Sequence, residues 1–179
     1  MSLFIIDVEA DGPCPGLFSM ISLGCVRLDR ELKTVFKAQF APISEKWVPG
    51  ALAVSHISRE QHLAYPAPEK GMRVFGQFLE TTSVGRPIFV SDNPAFDWQW
   101  VNYYFHAFCG ENPFGHSARR IGDLYAGLEK DFSAASRWKA LRKTKHTHDP
   151  LDDAMGNAEA LIAISDRFGL KLPGLARTG

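Results

Sequence analysis

Leu3-Phe4-Ile5-Ile6-Asp7-Val8-Glu9 is the stretch on which the fold turns. An apolar run ending on two acids reads as a buried strand that carries charge at its carboxyl end. Side chains two apart in an extended chain point the same way, so Asp7 and Glu9 share a face. Beyond the carboxyl ends of the strands is where α/β sheets bind ligands. An acidic pair at a strand end is also what an ordinary solvated terminus looks like, and the rest of the chain has to decide between the two.

Working outward, Ile21–Leu28 alternates apolar with small or polar residues, as does Thr34–Phe40, and Asp29-Arg30-Glu31 between them is short enough for an antiparallel hairpin. Residues 42–66 read as irregular, with one helical turn near Ala51–Ser55. Pro68-Glu69 then opens an amphipathic helix expected to turn Met72, Val74, Phe75, Phe78 and Leu79 inward. Ile88-Phe89-Val90 is a buried-type strand, and a helix is expected from Asp97 to Phe108. A short strand over Arg119–Asp123 precedes helical Leu124–Leu128, and a closing helix over Leu151–Phe168 stops before Gly169. A meander followed by alternating strands and helices predicts a mixed sheet covered by helices, an α/β fold in one domain spanning 1–179, with residues 172–179 as a loose tail.

The 179 residues are 45% hydrophobic and carry 20 basic and 20 acidic side chains. That balance gives no whole-molecule field to attract a polyanion. No apolar run is long enough to span a bilayer, and three cysteines (Cys14, Cys25, Cys109) at no zinc-like spacing suit free thiols, so a cytoplasmic protein without membrane contact is expected. One local exception is Ser133–Thr147, which holds Arg137, Lys139, Arg142, Lys143 and Lys145 around Trp138 and no acid. It is either a solvated face or a place to hold phosphate.

Two further acidic motifs follow the first. Asn93-Pro94-Ala95-Phe96-Asp97 leaves a buried strand and begins a helix, where Asp97 is either a charge favoured by the helix N-terminus or a partner for Asp7 across the same crevice. His148-Asp149-Pro150-Leu151-Asp152-Asp153 opens the last helix; Asp149 or Asp152 serves as its cap, while His148 and His146 compete for any role near the acids. Four carboxylates and a histidine on three elements read together as a two-metal phosphodiesterase site. Hard divalent cations take oxygen ligands, and phosphodiester cleavage near neutral pH needs an activated water and neutralisation of the leaving oxygen.

In this order the three segments resemble the motifs of the DEDDh exonucleases, the family of ribonuclease T, oligoribonuclease and the proofreading subunit of bacterial DNA polymerase III. D-x-E is matched by Asp7-Val8-Glu9, N-x-x-F-D by Asn93 to Asp97, and H-x-x-x-x-D-A by His148 to Asp153 and Ala154. Only His148 fits the last spacing. The resemblance runs from Phe4 to about Phe168 and includes Ile21–Val26, Ala53–Ser58 and Gly122-Asp123-Leu124. Two positions depart from it: Asp11, where relatives carry Thr or Asn, and Asp92, where His is frequent.

The resemblance implies an RNase H-like fold, a five-stranded mixed sheet with helices on both faces. It implies 3′→5′ hydrolysis of single-stranded RNA or DNA ends using two divalent ions, Mg²⁺ or in its place Mn²⁺. Asp7, Glu9 and Asp153 are implied as ligands of one ion, Asp7 and Asp97 of the other, and His148 as general base. Asn93, Ser55 and His56 are expected at the substrate, Phe18 and Trp138 against bases, and Arg137, Lys139 and Arg142 near phosphates. RNA is slightly favoured, because nothing in the chain reads as a polymerase attachment, and a homodimer is expected by resemblance. The rival reading is a catalytically silent nucleic-acid-binding module with the same fold.

Overall fold

Five strands form one sheet in the order β3-β2-β1-β4-β5: β1 (Ser2–Ala10), β2 (Met20–Arg27), β3 (Val35–Gln39), β4 (Pro87–Ser91) and β5 (Ala118–Arg120). The structure is a computed structural model, and it describes residues 1–175. β1 pairs antiparallel with β2, and β2 with β3, which makes the expected meander; β4 joins β1 in parallel and β5 joins β4 in parallel. The central strand is the one whose apolar run is longest.

Alternation along β1 sorts the core into two layers. Phe4, Ile6, Val8 and Ala10 face one cluster, which helices α3 (Pro68–Thr82) and α4 (Pro94–Cys109) cover with Met72, Phe75, Leu79, Trp100, Tyr104 and Phe105. Leu3 and Ile5 face the other, closed by α5 (Ile121–Glu129), a 3-10 helix (Phe132–Leu141) and α6 (Pro150–Phe168) through Tyr125, Trp138, Ala154, Ala158 and Leu161. Asp7 and Glu9 continue the Leu3–Ile5 face past the apolar part of the strand. They therefore emerge beneath the start of α6.

Gly24 explains how α6 comes so near. It pairs with Asp7 across the sheet, and a Cβ built on it would lie 2.2 Å from the backbone carbonyl of Pro150. Only a residue without a side chain lets the first turn of α6 rest on the strand. Ala154 and Ala158, buried in the cluster that holds Leu3 and Ile5, continue that contact along the helix, while Gly156 packs against the Thr144 carbonyl.

Several expectations are corrected. Residues 42–66 are more ordered than expected: α1 (Pro49–Val54) is followed by α2 (Arg59–Leu63), whose N-terminus is a capping box in which Ser58 and Gln61 exchange side-chain and backbone hydrogen bonds. Val74 of α3 is 44% exposed rather than inward, because position 74 falls between the buried positions 72, 75 and 79. The expected tail starts too early: Leu175 is buried in the α6-side cluster and Gly174 packs against the Leu28 carbonyl, while residues 176–179 lie outside the described residues. Among the described residues no helix is long and apolar enough to cross a membrane.

Gly24→Ala should lower unfolding free energy by about 1–3 kcal/mol through overpacking, and should reduce any activity that depends on Asp153. Urea denaturation checks it. An unchanged midpoint would show that α6 does not depend on this contact.

Candidate active site

The acids assemble from three elements that meet at the carboxyl ends of β1 and β4. Asp7 and Glu9 come from β1 and Asp153 from the first turn of α6; one oxygen from each lies within 4.8 Å of the other two. Asp97, in the first turn of α4, is buried and accepts from the N–H of Val8 at 3.2 Å. Val8 lies beyond the last β1–β4 pair, Ile5–Val90, so its N–H on that side is left for a side chain to satisfy.

Asp97, Glu9 and Asp153 each accept from a specific donor. Ser55 Oγ donates to Glu9 Oε2 at 3.3 Å, and the Thr147 N–H donates to Asp153 Oδ1 at 3.0 Å. The other oxygen of Asp153, buried like the rest of that side chain, makes no hydrogen bond. Three carboxylates with oxygens within 4.8 Å of one another repel unless a cation joins them, and all-oxygen donors suit a hard divalent ion. The residues present therefore fit Mg²⁺ or Mn²⁺.

The neighbouring acids of the last helix separate by role. Asp149 caps α6 by accepting from the Leu151 N–H and pairs with Lys37, and Asp152 accepts from the Thr147 hydroxyl. Asp153 alone turns into the cluster. His148 sits at its mouth with φ 60° and Nδ1 3.8 Å from Glu9 Oε1, while His146 Nδ1 lies 2.7 Å from Asp153 Oδ2.

Burial and mutual repulsion shift Asp7, Glu9 and Asp97 upward. Burial pushes Asp7 well above the ordinary carboxylate range, and the charges of Asp97, Asp153 and Glu9 add to it. Glu9 is raised to about 7, by burial first and against the Ser55 hydrogen bond. Asp97 is also raised to about 7, again chiefly by burial. Without a cation the cluster retains protons into the neutral range.

Not every expected substrate residue reaches this place. Trp138 is fully buried in the α6-side core, with the Arg142 guanidinium over its ring, and is unavailable for base stacking. The expected phosphate-holding cations are already paired: Arg137 with Asp131, Lys139 with Asp92, and Arg142 with Asn157 and, at 3.6 Å, Asp92. Ser55 supports Glu9. Phe18 is partly buried, its ring filling the space above Gly12, whereas Asn93 and His56 are exposed, His56 at 6.4 Å between ring centroids from His148. Asp11, expected near the substrate or in solvent, is fully buried and accepts from the Ser19 N–H and from Arg59.

Gly24 and the Thr147 backbone were not legible as parts of the site, although a glycine inside an apolar strand is a signal of close backbone approach. Beside Glu9 lies a mostly apolar cleft of about 350 Å³ lined by Ala10, Gly12, Pro13, Val48, Ala51, Val54 and Phe96.

Four carboxylates gathered at the strand ends of a mixed sheet, with a histidine at the rim, define a nuclease of the RNase H-like class. Comparison with known proteins agrees. A family model described as exonuclease, of the RNase T type, matches residues 4–161. The chain belongs to this family, the DEDDh exonucleases. It is similar to the 3′-5′ DNA exonuclease Cap18 of Escherichia coli, with 34% identity over 175 residues covering 93% of this chain and 92% of that one. Among solved structures, the nuclease domain of the DEDDh protein 3′hExo bound to rAMP superposes with a TM-score of 0.74 at 15% identity, covering 95% of this chain and 94% of that one. E. coli exonuclease I in complex with a dA16 oligonucleotide does so with 0.65 at 15% identity, over 93% of this chain and 41% of the longer partner.

Two outcomes test this geometry. Trp138→Ala should cost about 3–5 kcal/mol in unfolding free energy, as for a core tryptophan; a stable variant with only a raised KM would return the residue to the substrate. The second concerns pH. A carboxyl whose folded-state value is raised stabilises the fold fully below its unfolded value and loses that contribution as pH climbs to the folded one. Glu9 and Asp97 act this way from about pH 4 to 7, Asp7 and Asp11 are shifted in the same direction, and His62, lowered to about 4 by burial and by Arg59, opposes them. The metal-free melting temperature should fall between about pH 5 and 7, less steeply in Glu9→Gln, and Mg²⁺ should raise it more at the upper end. A rise with pH in the wild type would overturn the shifts.

Proposed function

We propose that this chain removes nucleoside 5′-monophosphates from the 3′ end of single-stranded nucleic acid, with DNA as the preferred strand, in a reducing cytoplasmic compartment that keeps its three cysteines free. The observation that carries the reading is the convergence of Asp7, Glu9 and Asp153 oxygens within 4.8 Å, with His148 beside Glu9. The preference for DNA leans on the similarity to a protein named as a DNA exonuclease. It replaces the slight expectation of RNA.

Asp7, Glu9 and Asp153 would hold one divalent ion and Asp7 with Asp97 a second, which supply Lewis acidity at the attacking water and at the phosphate. The chain's own groups do the rest. His148 takes the water's proton, and its partly exposed ring can pass that proton to solvent. Ser55, the Val8 N–H and the Thr147 N–H keep Glu9, Asp97 and Asp153 from rotating away. The apolar cleft next to Glu9 seats the terminal base, with Phe96 on its wall, and Asn93, exposed at the start of the helix that carries Phe96, is available to the strand.

Incubating the protein and Mg²⁺ with 5′-labelled DNA and RNA oligonucleotides should give a ladder shrinking from the 3′ end, faster for DNA. Binding without cleavage sinks the reading. Asp7→Ala and Asp153→Ala should abolish turnover while circular dichroism stays unchanged. His148→Ala should lower kcat by about a hundredfold or more. The same loss in His146→Ala, with His148→Ala near normal, would move the base to His146.

A further inference from the structure

The proposed hydrolysis leaves His146 unused, yet its position is specific. Its Nδ1 lies 2.7 Å from Asp153 Oδ2 and its ring centroid 4.3 Å from that of His148. One ligand atom from each of His146, His148 and Asp153 falls within 4.8 Å of the other two. Asp153 is 1% exposed; Oδ1 is taken by the Thr147 N–H, and Oδ2 forms no hydrogen bond despite the imidazole beside it. A buried, unpartnered oxygen thus points at a pair of histidines.

Two imidazoles and a carboxylate are a poor set for Mg²⁺, which demands an octahedron of oxygens. They suit zinc and its neighbours, which take three protein ligands and leave a position for water. An ion at about 2.0–2.1 Å from each ligand in a tetrahedron spaces them by roughly 3.3 Å. His146 then has to withdraw from Asp153 by about half an ångström, and its side chain is half exposed, which leaves it room to do so.

We propose that His146, His148 and Asp153 form a second metal site, for Zn²⁺, that overlaps the catalytic one and inhibits it. Binding there withdraws Asp153 from the carboxylate cluster and His148 from the attacking water. Inhibition rests on the exonuclease reading; binding of zinc does not. Because N-containing sites favour Zn²⁺ over Mg²⁺, a small amount of zinc competes against a large excess of magnesium.

The test is calorimetric titration of the full chain with Zn²⁺ in saturating Mg²⁺, with Co²⁺ absorption as a second readout of nitrogen ligation. One tight event is expected, weakened tenfold or more in His146→Ala, whose Mg²⁺ affinity changes less than threefold. Intense visible cobalt bands should be lost in the variant. His146→Gln serves the same comparison if the alanine variant fails to fold. Zinc affinity equal in wild type and variant, or no zinc binding, overturns the site. If zinc binds through His146 but Mg²⁺ alone supports no cleavage of oligonucleotides, the exonuclease reading falls and the metal site stands.

Discussion

Everything in this molecule has to accommodate the repulsion between carboxylates crowded into one poorly hydrated corner. Such groups drift apart or take up protons unless the surrounding structure holds them. Here the holding is covalent in origin for Asp7 and Glu9, which cannot leave the face of a strand whose first residues are buried on both sides. For Asp153 it is a matter of packing, since α6 rests directly on Gly24. Asp97 is tied by the backbone of the very strand that carries its rivals. The two cores on either side of the sheet thus offset an electrostatic cost that the chain keeps because the crowding is useful.

The parts of this arrangement legible in the sequence are those set by short-range periodicity. Leu3–Glu9 announces both a buried strand and the common direction of its two acids. The meander follows from alternation and a short connection, and its observed register keeps Asp7 opposite Gly24. The choice of Asp153 over Asp149 and Asp152 needed the family spacing. Its physical reason lies in three different environments along one helical turn, a cap, a hydroxyl partner and a buried corner.

What was illegible depends on residues far apart in the chain. Trp138 among cations looks like a surface residue, yet the 3-10 helix turns it onto Gly122 and beneath Arg142, where a tryptophan fills the core. Asp11 reads as an exposed charge near the substrate until Arg59, 48 residues later, is seen to meet it. Arg59 in turn belongs to a short helix that composition alone disguised as loop, although the Ser58–Gln61 pattern carried a recognisable cap.

The pairing of Arg137, Lys139 and Arg142 with Asp92 and Asp131 has a wider meaning. Nucleic acid binds basic proteins largely by releasing the ions condensed on its phosphates, and each free cation adds to that release. Cations already neutralised by neighbouring carboxylates contribute little. If the proposed site holds a strand, grip would then come mainly from its end, with Lys143 and Lys145 the cations of the segment left to add to it, and attachment would depend only weakly on ionic strength. Each cut would then remove the nucleotide that was held best. On the proposed reading, such a surface would favour trimming in separate encounters over running along a polymer.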